Sequence, residues 1–215
     1  EPSFKAPDMR IISHYVIGDE KVYPRKHSVN DVIALGGLFG DVSDLTICKN
    51  LEREINDIEN KIKNNKNRDL LKLWHGDTHY IADDKSGWKN QSSTFKMVID
   101  RLTNYFNVDV KATRFNIYKD SSQWKPFHHD AAAVKKDKRD TQNITIAVSF
   151  GMEREAAFEH AKSKTTLAMP QPNGTVYVFN RDVNIEWKHG ILQKPDPVIQ
   201  EPRISIIIWG WVDMN

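Results

Sequence analysis

The sequence predicts an α+β protein that is mostly β, with helices in its first half and short strands in its second. Apolar residues recur at helical spacing up to Phe106, and from Val108 onward short β-like runs alternate with turn residues. With 215 residues, 39% of them hydrophobic, the chain is long enough to bury one full core. We therefore predict one domain over residues 1–215, in which residues 1–110 support, and could cover with a substrate lid, a β-sandwich or jelly roll over residues 111–215.

Two amphipathic helices are predicted in the first half. Leu51, Ile55, Ile58 and Ile62 recur at helical spacing, with polar residues between them. A second helix begins at Ser92 or Ser93, either of which is a suitable N-cap. Its apolar stripe consists of Phe95, Val98, Ile99, Leu102 and Phe106.

The second half contains the predicted strands, separated by turn signals such as Asp120-Ser121-Ser122 and Pro172-Asn173-Gly174. They cover residues 112–118, 143–150, 156–160, 165–169, 175–180, 185–189 and 203–211. Short strands without alternating helices favour a sandwich or jelly roll over α/β units.

Composition excludes several classes of site. The single cysteine, Cys48, rules out an internal disulfide and a cysteine-based zinc or iron–sulfur site, so any metal must be held by His, Asp or Glu. Lys and Arg number 31 against 29 Asp and Glu, so net charge does not select a substrate. No apolar run reaches the roughly 20 residues of a membrane helix. We expect a soluble intracellular protein without a membrane partner; its compartment (cytoplasm or nucleus) and oligomeric state are left open.

His128 and Asp130, together with the distant His189, have the composition of a metal site. In an extended segment residues i and i+2 project to the same side, so His128 and Asp130 can grip one ion while His129 points elsewhere. Two imidazoles and one carboxylate leave positions open on Fe(II) for oxygen and a co-substrate. With eight histidines in the chain, unrelated surface or core histidines are the simpler interpretation of His-x-Asp alone. The metal site is favoured because further polar residues occur in a matching order along the chain around this motif. They are Asn116, Tyr118, Arg203 and Ser205.

Two predicted strands each carry a polar face. Arg203 and Ser205 alternate with isoleucines, and Asn116 and Tyr118 share a face with Arg114. A buried guanidinium needs an anion, and a small dicarboxylate beside the metal would provide one. An ordinary half-exposed strand is the alternative for residues 112–118.

These residues, in this order, resemble the AlkB-like 2-oxoglutarate- and Fe(II)-dependent dioxygenases over roughly residues 112–211. The run from Asn116 to Asp130 is similar to the family's N-x-Y strand, turn and W-x-P-x-H-x-D motif. The remaining similar segments are Val148-Ser149-Phe150-Gly151 with Arg154 and Phe158, Trp187-Lys188-His189-Gly190-Ile191, and Pro202-Arg203-Ile204-Ser205. The resemblance implies a double-stranded β-helix, the jelly roll of this family.

The resemblance also implies a set of ligands and a chemistry. His128, Asp130 and His189 would hold Fe(II), and Arg203 with Tyr118 would bind the distal carboxylate of 2-oxoglutarate. Asn116 would lie near the keto-acid end. Asn116 with Tyr118 and Arg203 with Ser205 would form two polar walls that hold the dicarboxylate beside the iron. The implied reaction uses O2 to couple oxidative decarboxylation of 2-oxoglutarate to hydroxylation of a substrate.

One residue departs from the family pattern. The closing strand of the family usually carries a second arginine six residues after the first, and this chain has Trp209 there. If that arginine helps to hold the co-substrate, Arg114 or Lys125 must take its place.

The substrate is left open between two classes. One is an N-methylated base in single-stranded or flipped-base nucleic acid, which needs stacking and phosphate-binding groups. Its candidates are Trp74, His75, His79, Tyr80 and the basic run 135–139, although a solvated loop explains the run and a core anchor explains Trp74 equally simply. The alternative is a protein side chain or small molecule that is hydroxylated. A third class, a catalytically silent binding module, would require that one of His128, Asp130 and His189 be missing, and all three are present.

A further segment belongs to the same question. The resemblance places Arg154, Glu155 and His160 near the substrate, and a structural ion pair between Arg154 and Glu155 is the alternative.

Overall fold

The computed structural model of the chain describes residues 8–12, 27–66, 69–73, 78–194 and 197–214. Within these residues the fold is α+β and mostly β, as predicted. The strands are β1 (Asp8–Ile12), β2 (Asp31–Leu35), β3 (Leu71–Leu73), β4 (Tyr80–Ala82), β5 (Asp109–Tyr118), β6 (Lys125–His128), β7 (Ile144–Gly151), β8 (Arg154–His160), β9 (Thr166–Gln171), β10 (Val176–Asn180), β11 (Trp187–Ile191) and β12 (Arg203–Trp211). The α-helices are α1 (Thr46–Lys66), α2 (Ser93–Phe106), α3 (Ala131–Val134), α4 (Lys136–Arg139) and α5 (Arg181–Glu186), and short 3₁₀ helices cover Asp84–Ser86 and Trp88–Asn90.

The strands form two sheets. The larger has eight strands in the order β1-β2-β10-β7-β12-β5-β4-β3, and the smaller has four in the order β6-β11-β8-β9. Neighbouring strands are antiparallel except for β1 and β2, which are parallel. The order is not sequential, so the second half of the chain crosses repeatedly between the two sheets.

The two long helices cover one face of the larger sheet, which confirms both helix predictions. Ser92 caps α2 by accepting a hydrogen bond from the Phe95 amide at 3.2 Å. Glu54 of α1 accepts from the Thr94 amide at 2.9 Å, which ties the start of α2 to α1. Leu51, Val98 and other apolar residues of the helices pack with Ile204, Ile206 and Ile208 of β12 in the main core.

The opposite face of the larger sheet looks toward the smaller sheet. Arg203, Ser205 and Trp209 of β12 are on this face because side chains alternate along a strand. A second apolar cluster, which includes Phe179 and Phe158, packs between the two sheets. The predicted division of β12 into an apolar and a polar face is confirmed, and its polar face lies inside the molecule.

One predicted strand begins in the wrong place. Residues 185–189 were predicted as a strand, but Ile185 and Glu186 belong to α5, and β11 begins at Trp187. The helical turn orients Asn184 so that its side chain accepts a hydrogen bond from the Asp130 amide at 2.9 Å, a tertiary contact that strand propensity does not register. The other strands predicted in the second half differ from the observed ones only at their ends, whereas β2, β3, β4 and β6 were not predicted. A short strand predicted over residues 11–16 overlaps β1 at Ile11 and Ile12, and residues 13–16 lie outside the described residues.

In the part of the chain that the structure describes, no helix combines the length and apolar character that a membrane crossing requires.

A candidate metal centre between the two sheets

A cavity of about 300 Å³ lies where β5 and β12 of the larger sheet face β6 and β11 of the smaller one. His128, Asp130 and His189 line it, as do Asn116, Tyr118 and Ser205. Six of the seven predicted site residues therefore meet in one cavity.

The three predicted metal ligands form a compact group. Asp130 Oδ1 lies 3.3 Å from His189 Nε2 and 3.7 Å from His128 Nε2. One ligand atom from each residue lies within 4.8 Å of the others, which is close enough for all three to contact one ion. Asp130 and His189 are buried, and His128 is partly exposed at the cavity.

The protonation states suit a cation. Burial and the neighbouring His189 lower the pKa of His128 to about 3, so its imidazole is neutral and can donate a lone pair. Burial raises the pKa of Asp130, but the adjacent His189 and His128 and the hydrogen bonds it accepts outweigh burial and hold that pKa below its usual value. At His128 and Asp130 the group therefore offers a neutral imidazole and a carboxylate anion.

Local structure explains how the His128-His129-Asp130 segment is held. His128 ends β6, and Asp130 has the extended backbone of an N-cap immediately before α3. His129 also lines the cavity but is not part of the His-Asp-His group, and its Nδ1 contacts the Asn184 carbonyl oxygen at 2.6 Å. Asn184 thus holds both residues that follow His128.

Gly190 allows β11 to approach β6 beside the third ligand. His189 pairs with His128, and the register shifts between His189 and Ile191. A Cβ at position 190 would lie 2.6 Å from the Lys125 carbonyl oxygen, which is far inside van der Waals contact. The absent side chain therefore lets the two histidine strands come together.

Asp130 is also held from the larger sheet. Its Oδ2 accepts hydrogen bonds from Thr145 Oγ1 at 2.9 Å and from Trp209 Nε1 at 3.0 Å. Neither donor was predicted as a site residue.

The second predicted group lies along the β5–β12 pair. Arg203 is paired with Tyr118, and Ser205 with Asn116, so all four side chains project from the same face. The Arg203 guanidinium carbon lies 5.1 Å from the centre of the Tyr118 ring. Tyr118 lines the cavity, but Arg203 is not among the described residues that line it.

Arg203 is a buried cation without a carboxylate partner among the described residues. It is 1% exposed, and its Nε and both Nη atoms make no hydrogen bond of normal geometry. Burial lowers the pKa of Arg203, and the nearby Tyr118 and Tyr177 phenols partly offset this. A second buried arginine, Arg154, lies 5.8 Å from the Tyr118 ring. Both cations favour an anion at this end of the site.

Two further residues lie beside the Asn116 and Tyr118 side chains: His79, for which a different role was predicted, and Tyr177, which was not predicted. His79, a predicted stacking residue for substrate, instead stacks on Tyr118 with centroids 4.5 Å apart, and its Nε2 lies 3.2 Å from Asn116 Oδ1. Tyr177 of β10 lines the cavity, and burial raises the pKa of its phenol, so it stays protonated as a donor. No sequence motif marked Tyr177, because its position depends on how β10 pairs with β7.

Three cationic side chains also line the cavity: Arg114, Lys125 and Lys138. Of the basic run 135–139, only Lys138 lines the cavity. Lys136 pairs with Asp140 at 2.8 Å, and Arg139 donates to the Ala132 and Ala133 carbonyls. Among the described residues that line the cavity, Asp130 is the one carboxylate.

The other substrate candidates lie elsewhere. Arg154 is buried and donates to the Gln123 and Leu192 carbonyls, while Glu155 is exposed, so neither the substrate position nor the ion pair is observed. His160 packs against Trp187 and does not line the cavity. Tyr80 lies under Lys119, 4.2 Å from its ammonium nitrogen, and Trp74 and His75 lie outside the described residues.

A scan against protein-family models and a search of curated protein sequences gave no match to this chain.

Proposed function

We propose that this protein is an Fe(II)- and 2-oxoglutarate-dependent oxygenase of the AlkB-like family, with the double-stranded β-helix that the family resemblance implies. The observation that supports this best is the combination of two features between the two sheets. One is a His-Asp-His group that can hold a metal, and the other is the buried Arg203, which has no carboxylate partner among the described residues. A ligand that chelates a metal with one end and presents a carboxylate at the other satisfies both.

The donor set fits Fe(II). Two neutral imidazoles and a carboxylate from three residues are the ligands of mononuclear ferrous oxygenases, which need open positions on one side of the metal. The side of the group that faces the cavity is the side left for co-substrate and oxygen.

The arginine end fits the distal carboxylate of 2-oxoglutarate. A guanidinium binds a carboxylate through two parallel hydrogen bonds, and Arg203 has no carboxylate partner among the described residues. Tyr118 would donate to the same carboxylate, and Asn116 and Ser205 would bind nearer the keto-acid end.

Bound Fe(II) would supply oxygen activation, coupled to conversion of 2-oxoglutarate into succinate and CO2. The residues of this chain orient both ligands and place the substrate C–H bond in the cavity. The neutral His128 and anionic Asp130 need no proton exchange before they bind metal.

The first candidate substrate is an N-methylated base of single-stranded or flipped-base nucleic acid. Hydroxylation of an N-methyl group gives an unstable hemiaminal, which releases formaldehyde and leaves the demethylated base. Arg114, Lys125 and Lys138 along the cavity supply the positive charge that a phosphate backbone requires.

Hydroxylation of a protein side chain or a small molecule is the second candidate. Of the proposed stacking residues, His79 is buried against Tyr118 and the half-buried Tyr80 contacts Lys119, which favours this alternative.

Uncoupled turnover tests the oxygenase. We expect the wild type to form succinate from 2-oxoglutarate with Fe(II), ascorbate and O2, and Asp130→Ala to form none above the no-enzyme rate. Glu155→Gln, an exposed acidic residue away from the cavity, serves as the control and should keep wild-type turnover. Iron-dependent turnover that survives in Asp130→Ala would contradict the proposed metal group.

Formaldehyde release tests the substrate class. Incubation with N-methylated single-stranded DNA or RNA should release formaldehyde, and oligonucleotide binding should weaken as salt rises. Lys138→Gln should reduce that salt dependence, whereas Lys136→Gln, which removes a lysine outside the cavity, should change it less. Succinate formation without formaldehyde release or oligonucleotide binding would favour the alternative substrates.

A further inference from the structure

The two oxygens of Asp130 have different surroundings. Oδ1 faces the imidazoles, 3.3 Å from His189 Nε2 and 3.7 Å from His128 Nε2. Oδ2 faces the larger sheet and accepts from Thr145 Oγ1 and Trp209 Nε1. The carboxylate is therefore oriented before any ion binds.

We propose that Trp209, with Thr145, is a positioning residue that restricts Asp130 to metal binding through Oδ1 alone. The inference rests on the proposed function, because it gives these residues a role toward the metal of that site. A carboxylate that is free to turn can bind a metal through both oxygens and occupy two positions. With Oδ2 held by two donors, Asp130 takes one position and leaves the others open.

The chemistry of the indole suits this role. Its Nε1–H is a donor only, so Trp209 cannot accept a hydrogen bond or compete as a metal ligand. It also adds no charge, whereas an arginine at position 209 would place a cation beside the carboxylate. Hydrogen bonds to a ligand carboxylate commonly fix its orientation and tune the metal.

The surroundings of Trp209 hold the ring in place. Trp209 is paired with Ala112 on β5 and with Thr145 on β7. The small Ala112 side chain leaves space for the indole on one side, and Thr145, the second donor to Asp130, lies on the other side. The Arg114 guanidinium carbon lies 5.3 Å from the ring centre, a cation–π contact. The residue that departs from the family pattern is therefore built into the metal end of the site, away from Arg203.

Co(II) titration tests the proposal without turnover. We expect Trp209→Phe, which keeps an aromatic ring but removes the donor, to weaken Co(II) binding about 10–100-fold. Thr145→Val, which is nearly the same shape, should weaken it in the same range. The visible absorption of bound Co(II) should change in both variants, because the carboxylate can then turn and bind through both oxygens.

Trp211→Phe is the matched control, because Trp211 is an exposed tryptophan on the same strand and should leave affinity and spectrum unchanged. Wild-type Co(II) affinity and spectrum in folded Trp209→Phe and Thr145→Val would overturn the inference. If Trp209→Phe does not fold, Thr145→Val decides the question alone.

His189→Ala separates this inference from the proposed function. If the wild type binds Co(II), His189→Ala does not, and both donor variants behave as wild type, the positioning role fails and the metal site stands. If the wild type and His189→Ala bind Co(II) equally or not at all, the metal site and the positioning role fail together.

Discussion

The two ends of the proposed site, the His-Asp-His group (the metal end) and the Arg203–Tyr118 pair (the arginine end), differ in how completely the protein satisfies its own charged groups. At the metal end, both oxygens of Asp130 have partners, His129 is held by Asn184, and the three ligand atoms already lie together. At the other end, Arg203 is buried, and within the described part of the chain its three nitrogens make no hydrogen bond of normal geometry. The three ligand atoms of the metal end are already brought together by the chain, whereas the arginine end has a buried charge for which we propose a bound anion as the partner.

This difference indicates how the two ends contribute to folding and binding. A preassembled ligand group loses little freedom when an ion binds, so its affinity is set by donor type and geometry. An unpaired buried guanidinium destabilises the unliganded protein, and an anion that pairs with it gains a strong charge-assisted contact. Substitutions at the two ends should therefore have different effects on unliganded stability.

The largest effect is expected from Asp130→Asn, which removes the negative charge at the metal end and keeps an oxygen for Thr145 or Trp209. Co(II) affinity should fall by at least about 100-fold, since the loss of an outer partner alone costs about 10–100-fold. Isothermal titration of the two proteins measures it. Equal affinities would show that the group is not the metal site.

Arg203→Met tests the other end. Without ligand, its free energy of unfolding should equal or exceed that of the wild type, by up to about 3 kcal/mol, because a buried polar group without partners is removed. In the wild type, 2-oxoglutarate at 100 times its Kd together with metal should add about 2.7 kcal/mol, and in Arg203→Met it should add far less. Urea denaturation with and without 2-oxoglutarate measures both quantities.

Arg154→Met is the matched control, because this buried arginine donates through Nη2 to the Gln123 and Leu192 carbonyls at 2.7 and 2.6 Å, while its Nε and Nη1 have no hydrogen-bond partner among the described residues. It should lose about 1–3 kcal/mol of stability, since those acceptors are then left unpaired. Similar losses in both arginine variants would mean that Arg203 is not an unsatisfied group, and the contrast between the two ends would fail.

Gly190→Ala should push β6 and β11 apart beside the two histidines. The added Cβ would meet the Lys125 carbonyl at 2.6 Å, and relieving such an overlap typically costs about 1–3 kcal/mol. Denaturation should show this loss of stability, and Co(II) titration should show weaker metal binding. Gly87→Ala, where a Cβ has nothing within 4 Å but φ is +73°, controls for a destabilised fold and should leave Co(II) binding intact.

The smallest effect is expected from His79→Phe, which keeps a ring against Tyr118 and removes the contact between Nε2 and Asn116 Oδ1. Losing one net hydrogen bond of about 1 kcal/mol should weaken 2-oxoglutarate binding about fivefold. Co(II) binding without 2-oxoglutarate should not change. A larger fall in metal affinity than in co-substrate affinity would place His79 at the wrong end of the cavity.

Much of the site could be predicted because alternation along a strand is a local property. The period of two put Arg203 with Ser205 and Asn116 with Tyr118, and both pairs lie on the predicted faces. The spacing of His128 and Asp130 likewise predicted that both would face one point. The prediction for residues 185–189 failed at its start because α5 is stabilised by tertiary contacts of Asn184.

Alternation and spacing in the sequence thus determined the α+β class, both long helices, the polar faces of β5 and β12 and the candidate metal ligands. Which strands become neighbours depends on contacts between residues far apart in the chain, and only the tertiary structure decided those. It brought Thr145 and Trp209 to Asp130, stacked His79 on Tyr118, and left Arg203 buried without a carboxylate partner among the described residues. The physical reason is that a strand's period determines the side to which each residue points, whereas sheet order and packing determine what it meets there.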